Sequence, residues 1–369
     1  MAIQRLAIVG TGLIGASVGL AAKRAGVASI RGFDPDSAAL ALARERGALD
    51  EATTSLEEAL AGAELAVVAA PVAELPAQVE AALAAAPELA LVTDVGSTKG
   101  AVCAAAASDA RFIGGHPVCG AETKGPGNAN AELFDGATWF LTPTATTDPE
   151  RYRVLHGFVA SLGATPVAVA PDAHDRIVAL TSHLPHALAN LLISQGGATR
   201  IDGHDPLDAA GGSLRDMTRV AGANPRVWVD IFLDNAAALK DALGEHRRRV
   251  EQLEQALESR DAGFLARWIA EAAQNRRRML ADAYTTEPGE LQRVRVHIPD
   301  RPGILAGITQ ALGAQRINIE DFELQHMSRD RGGTLAITII GAAEAQRAAT
   351  LLEEQGYGVS VAAVLEDLA

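Results

Sequence analysis

Two changes of pattern along the chain predict its fold class, an α/β protein in three parts. Alternating apolar runs and helical stretches open it, strand-like runs stop after Pro171, and period-2 alternation returns at Leu291. The parts expected are a dinucleotide-binding sheet domain at 1–170, an all-helical domain at 171–284, and a small βαββαβ module at 291–369. Thr285–Glu290, with Pro288 and Gly289, serves as the linker. A length of 369 residues fits this count, since one ordinary domain takes roughly 100–200.

Composition narrows the function. Hydrophobic residues make up 48%, ample for several cores. The 46 acidic residues outnumber the 32 basic ones, for a net charge of −14, so nucleic acid is not expected as a partner and any anionic substrate must be met by local arginines. No uninterrupted apolar run approaches the roughly 18 residues of a membrane span, and Met1–Arg5 leads into a strand rather than a signal peptide; no membrane partner and a cytoplasmic location are expected. Cys103 and Cys119 have no zinc-ligand spacing and are read as packing residues, and no metal is expected.

Arg5-Leu6-Ala7-Ile8-Val9 reads as a buried strand, followed by Gly10-Thr11-Gly12-Leu13-Ile14-Gly15 and a helical pattern. This is the Rossmann fingerprint in its strand-turn-helix setting. Gly10 permits the turn, Gly12 lets backbone approach a pyrophosphate, and Gly15 lets helix and strand pack closely. A second strand, Ser29–Phe33, ends at Asp34, placed to hold ribose hydroxyls and repel a 2′-phosphate, which favours NAD; the alternative is that Asp34 caps the next helix. Strands 64–70 and 89–93 continue the pattern. Pro71 is either a wall for the adenosine half or a plain turn proline. Strands 138–142 and 165–169, around a helix at 149–161, are expected to complete the sheet.

The chemistry is expected between Asp94 and Gly127. Asp94-Val95-Gly96-Ser97-Thr98-Lys99-Gly100 and Gly114-Gly115-His116-Pro117 read as two polar turns leaving neighbouring strand ends, where open α/β sheets bind ligands. Ser97 and His116 would face one cleft, and a histidine beside a hydroxyl is a proton acceptor near neutral pH. The alternatives are a solvated loop histidine and a Ser97 that caps the helix from Thr98.

Helices are expected at 172–195, 213–220, 225–257 and 261–283. His183 and His186, three apart, share a helical face, as polar packing or as part of a site. Arg219 offers a planar, two-pronged grip for a carboxylate, or else a salt bridge to Asp216; Arg215 is a second cation one turn away. No lysine occurs between Pro171 and Leu239, which disfavours the two-domain 3-hydroxyacid dehydrogenases with their lysine on the helical domain. In the tail, Asp300-Arg301-Pro302-Gly303-Ile304-Leu305 with Asn318-Ile319 resembles an ACT domain, a small sheet that binds amino acids at paired interfaces.

Taken together the chain resembles the prephenate dehydrogenases of tyrosine biosynthesis in the form with a C-terminal ACT domain. Gly10–Gly15, Asp94–Lys99, Gly115-His116-Pro117 with Gly120-Ala121-Glu122, Ser182-His183-Leu184-Pro185-His186, and Asp216–Arg219 with Trp228 carry the resemblance. It implies NAD-dependent oxidative decarboxylation of prephenate to 4-hydroxyphenylpyruvate by a homodimer. His116 would accept the hydroxyl proton, with Ser97 orienting it. Arg219 would hold a substrate carboxylate with Arg215 as a second cation, His186 and His183 would line the side-chain pocket, and Glu122 would sit near the entrance. Gly303 and Asn318 would present the effector site for tyrosine. Arogenate dehydrogenase, a dual-specificity cyclohexadienyl dehydrogenase, and a non-enzymatic NAD and amino-acid sensor are the alternatives.

Overall fold

The computed structural model describes residues 3–119, 123–284, 290–328 and 332–364. The chain divides into two compact units, Met1–Arg247 and Arg248–Ala369.

The first unit opens with β1 (Arg5–Val9), α1 (Leu13–Arg24), β2 (Ser29–Phe33), α2 (Ser37–Glu45), β3 (Glu51–Thr53), α3 (Leu56–Leu60), β4 (Leu65–Val68), α4 (Leu75–Ala85) and β5 (Leu91–Asp94). These strands form a parallel sheet in the order β3-β2-β1-β4-β5. Period-2 alternation splits their side chains between two cores. Leu6, Ile8, Leu65 and Val67 pack on the α1 side, while Ala7, Val9, Ala66 and Val68 pack with α4. Burial on both faces is why these strands read as continuous apolar runs. β3 lacks that signal and is defined by its pairing with β2.

After α5 (Gly100–Ala105), β6 (Gly114–Pro117), β7 (Thr138–Thr142), α6 (Pro149–Ser161) and β8 (Thr165–Ala168) follow. Two expectations are corrected here. Gly114–Pro117 is a strand, not a polar turn, and pairs antiparallel with β7. The later strands form a separate three-stranded sheet, β6-β7-β8, instead of completing the first. Parallel pairing continues past β5 only as a single bridge between Val92 and Phe112. It stops because the Gly115 amide bonds the Asp94 side chain at 3.0 Å rather than a β5 carbonyl.

The helical segment starts with α7 (Pro171–Val178), a π-helical turn (Ala179–His183) and α8 (Leu184–Ala198). Together they make one helix, Pro171–Ala198, long and apolar enough by length and composition to cross a membrane, which no uninterrupted apolar run in the sequence announces. It also carries the buried polar residues His174, Asp175 and His183, hydrogen-bonded within the unit. The widened turn suits Pro185, which has no N–H to give to the carbonyl four residues back. α9 (Gly212–Thr218) runs into a 3-10 turn, Arg219–Gly222. The single helix expected at 225–257 is two, α10 (Pro225–Asp234) and α11 (Ala236–Glu258), broken at Asn235.

In the second unit α12 (Ala262–Tyr284) precedes β9 (Leu291–Ile298), α13 (Ile304–Ala314), β10 (Asp321–Ser328), β11 (Gly332–Ile340), α14 (Ala342–Glu354) and β12 (Gly358–Ala363). The order is βαββαβ, as expected, in an antiparallel sheet β10-β11-β9-β12 covered by a core that includes Val294, Ile308, Ile337 and Leu352. The strand expected from Ile317 begins four residues later, and Ile317 instead enters the core from the loop.

One ion pair fixes the end of β5. Asp94 and Lys99 are both fully buried and bonded to each other, and Asp94 also accepts the amides of Gly96 (2.8 Å) and Gly115 (3.0 Å). Removing one partner strands a charge in low dielectric. Asp94→Asn is therefore expected to destabilise the fold by about 3–5 kcal/mol, read from urea unfolding; a loss under about 1 kcal/mol would mean that Lys99 finds water or another acceptor.

Candidate functional site

The glycine turn is built as its spacing predicts. Gly10 adopts φ +95°, and a Cβ there would lie 2.5 Å from the Ala69 carbonyl oxygen. A Cβ on Gly15 would fall 1.9 Å from the Gly10 oxygen, so only glycine lets α1 pack on its own entry turn. Gly12 differs: it caps α1, and its missing side chain would meet nothing within 4 Å. An open cradle at a helix N-terminus is what a pyrophosphate requires. Leu13 and Ile14 open the helix. The Asp34 carboxylate accepts the Thr11 amide (2.7 Å) and hydroxyl (3.1 Å), while Asp36, not Asp34, caps α2. Pro71 is exposed, and its carbonyl takes the Glu74 and Leu75 amides, a turn role.

His116 sits on β6, just past the C-terminal end of the parallel sheet. Burial, with the nearby Lys99 ammonium adding to it, holds this half-buried imidazole well below the usual histidine range. Its Nδ1 lies 2.8 Å from Nε2 of the fully buried His174, whose Nδ1 lies 2.8 Å from Oδ1 of Asp175. His174 is steadied edge-on by Phe140, with ring centroids 5.3 Å apart. Burial opposes ionisation of Asp175, but bonds from His174 and from the amides of Lys99 (2.8 Å) and Gly100 (2.7 Å) hold its pKa below the ordinary carboxylate value. Those amide bonds cap α5, so Ser97 is not its cap. Among the described residues no hydrogen bond joins Ser97 to His116, whose Nδ1 is met by His174.

Sequence reasoning did not find His174, Asp175 or Asn235. The available signal was an adjacent His-Asp pair in the first turns of the helix after Pro171. The Asn235 amide donates to the Asp175 carbonyl at 2.8 Å and to Nδ1 of His183 at 3.1 Å, which explains the helix break there.

His183 is buried, and desolvation lowers its pKa to about 4. His186 is half-buried, stacked on Trp228 with centroids 3.4 Å apart, and His183 meets the same indole edge-on at 6.1 Å. The two histidines thus converge on one aromatic surface. Nδ1 of His186 donates to the Ser182 carbonyl (2.9 Å), and burial foremost, with the nearby Arg219 charge, lowers its pKa. Arg219 begins the 3-10 turn after α9, exposed, and Arg215 is exposed one turn earlier. Glu122 lies outside the described residues.

Family models match the chain in three consecutive stretches: a prephenate dehydrogenase nucleotide-binding domain at 18–168, a prephenate dehydrogenase dimerization domain at 170–271, and an ACT domain at 292–354. The prephenate dehydrogenase of Bacillus subtilis is 30% identical over 361 residues, 94% of this chain and 95% of that one. This chain belongs to the prephenate dehydrogenase family. Among solved structures, the family enzyme of A. aeolicus, bound to hydroxyphenyl propionate and NAD+, superposes with a TM-score of 0.71 at 28% identity, covering 76% of this chain and 99% of that one. The arogenate dehydrogenase of Synechocystis gives 0.68 at 31% identity, covering 74% and 98%.

Because Gly12 has open space and a helical neighbour, Gly12→Ala should leave thermal stability within a degree or two, yet weaken dinucleotide binding at least about tenfold through one displaced phosphate contact. Calorimetry beside thermal melting checks this, and unchanged affinity would move the pyrophosphate away from Gly12.

Proposed function

We propose that this family member is a prephenate dehydrogenase, converting prephenate and NAD to 4-hydroxyphenylpyruvate, carbon dioxide and NADH. The observation that carries the reading is His116, kept neutral by burial beyond the strand ends that bear the dinucleotide turn. NAD, when bound on Gly10–Gly15 with Asp34 at its ribose, supplies the hydride acceptor. His116 takes the proton of the C4 hydroxyl as the hydrogen on C4 leaves as hydride; the electron pair released as the ring carboxylate departs as carbon dioxide passes through the ring to that oxygen, which takes its proton back from His116 and completes aromatisation. Arg219 holds a substrate carboxylate, with Arg215 as a second cation. Ser97 lines the hydroxyl end, His183 and His186 the side-chain pocket, and Pro71 the adenosine wall. The three-part division at 1–170, 171–284 and 291–369 belongs to the same reading, as does a cytoplasmic homodimer, supported by exposed apolar residues such as Leu191 and Leu233 on the helical segment.

A second reading has its own observation. His186 gives its Nδ1 hydrogen to the Ser182 carbonyl, so the neutral ring presents Nε2 as an acceptor. An acceptor suits the ammonium of arogenate better than the ketone of prephenate. The kcat/KM ratio of the two substrates, followed at NADH absorbance, decides between them, and turnover of neither would end both readings.

His116→Asn should lower kcat by about 10²–10⁴-fold with KM little changed. In the native enzyme the acid limb of kcat/KM should fall below about pH 6.5, since activity is lost only as pH drops through a depressed histidine pKa. Arg219→Lys should mainly raise KM, by about tenfold or more, as a two-pronged contact is lost. Near-native kinetics in both variants would place the chemistry elsewhere.

The tail is read as a tyrosine-responsive module. Gly303, at φ +88° where α13 begins, and the exposed Asn318 offer backbone and amide groups to an amino acid. Tyrosine should inhibit the full-length enzyme but not a chain ending near Ala283, if it binds the less active arrangement more tightly. Equal inhibition of both would indicate competition at the catalytic cleft.

A further inference from the structure

We propose that His174 and Asp175 are positioning residues that hold His116 in one tautomer, with its proton on Nδ1 and a lone pair on Nε2 toward the reacting hydroxyl. The proposal rests on His116 being the proton acceptor and says how that role is enforced.

The argument runs inward from the carboxylate. Asp175 can only accept, so the 2.8 Å contact requires a hydrogen on Nδ1 of His174. A neutral His174 then has a bare Nε2, and the 2.8 Å contact to His116 is a hydrogen bond only if His116 Nδ1 carries the hydrogen. One proton per contact satisfies the chain and adds no charge to a ring that is fully buried. The outcome at the far end is a neutral His116 whose Nε2 is unprotonated. The reverse order, with an imidazolium at His174, would place a hydrogen on Nε2 of His116 and make it a donor, unable to take a proton.

The carboxylate is itself fixed in several directions. The Asp175 side chain accepts the amides of Lys99 and Gly100, and its carbonyl takes the Asn235 amide. The chain of contacts is therefore anchored to the loop after β5 and to the helix break at Asn235 and does not hang on rotamer preference. When His116 takes the substrate proton on Nε2, both its nitrogens carry hydrogen. The hydrogen on Nδ1 stays in its bond to His174, whose far side meets the Asp175 carboxylate. The electron pair of the breaking C–H bond goes to the nicotinamide as hydride, and once carbon dioxide leaves and its electron pair reaches the oxygen, the proton on Nε2 returns to that oxygen.

The test is made on the whole protein. Long-range 1H–15N spectra of 15N-histidine-labelled enzyme, assigned with His116→Asn, should show His116 with its proton on Nδ1 and a nitrogen shift typical of an unprotonated Nε2. His174→Phe keeps the ring packed on Phe140 and removes the acceptor. It should shift His116 toward the Nε2–H form and lower kcat between about 10-fold and 10⁴-fold, the upper end being the loss when the orienting carboxylate of a serine protease is neutralised. KM should stay within about threefold, as expected when only transition-state help is lost. His174→Gln returns an oxygen near the position of Nε2 and should recover much of the lost kcat and the native tautomer. A native spectrum with hydrogen on Nε2 of His116 would overturn the proposal. So would an unchanged kcat in a folded His174→Phe, or equal losses in both variants with the native tautomer retained. If His174→Phe does not fold, the native spectrum and His174→Gln still decide. If the native enzyme turns over neither prephenate nor arogenate, the functional reading fails, while the tautomer is settled by the spectrum alone.

Discussion

The carboxylate of Asp94 meets the Lys99 ammonium and the amides of Gly96 and Gly115 in a space with no water access. Each contact fixes a different stretch: the turn after β5, the start of α5, and β6 with His116. Because ion pairing at full burial roughly breaks even against desolvation, the value of this arrangement is positional more than energetic. It replaces a strand-to-strand ladder with a side-chain hub, and the second sheet can therefore leave the first at an angle that parallel pairing would forbid. Glycine at 115 is the geometric condition. A Cβ there would lie 2.6 Å from the Asp94 carbonyl and 2.9 Å from the Trp139 indole nitrogen, so a larger residue would push β6 off the hub.

Asp175 repeats the device from the helical side. It caps α5 through space, a role sequence reasoning assigns to a neighbouring serine because caps are usually local. The two carboxylates grip the same short loop from opposite ends. The loop is thereby held at several points, and His116 is tied to it through His174 and Asp175. Lys99 belongs to both sides: its ammonium answers Asp94, its amide answers Asp175, and its charge helps keep His116 neutral.

What was legible in the sequence follows from how local each signal is. The glycine fingerprint is a property of six consecutive residues and their flanking strand and helix, so the strand-turn-helix geometry at Gly10, Gly12 and Gly15 is legible. The βαββαβ order of the tail was read from alternation alone. The second sheet was not, because β6 is four residues, two of them glycine, and owes its pairing to Asp94 rather than to its own side chains. The split at Asn235 was hidden by good helical periodicity on either side. The π-helical turn was hidden for the same reason, although Pro185 marked the place. His174 and Asp175 escaped because their role exists only through contacts to residues 58 and 75 positions away. The partner of His116 Nδ1 is likewise invisible in the sequence, because His174 arrives from another element.

The histidines at 183 and 186 show how far side-chain identity falls short of chemistry. Both are aromatic, titratable and three residues apart, yet they end in different states. His183 is buried and takes its hydrogen bond from Asn235 on Nδ1. His186 gives its Nδ1 hydrogen to the carbonyl of Ser182, inside the π-helical turn, and turns Nε2 outward over the face of Trp228. The widened turn supplies a carbonyl aimed at the ring, so backbone geometry selects the tautomer. A neutral ring that can only accept, set near the fixed positive charge of Arg219, distinguishes ligand groups by hydrogen-bond sense: it welcomes a donor and leaves a carbonyl oxygen without a partner. Protonation reverses that sense, and Arg219 and burial both push against protonation. The carbonyl that selects this tautomer thus lies in one irregular turn, four residues before the ring that displays it.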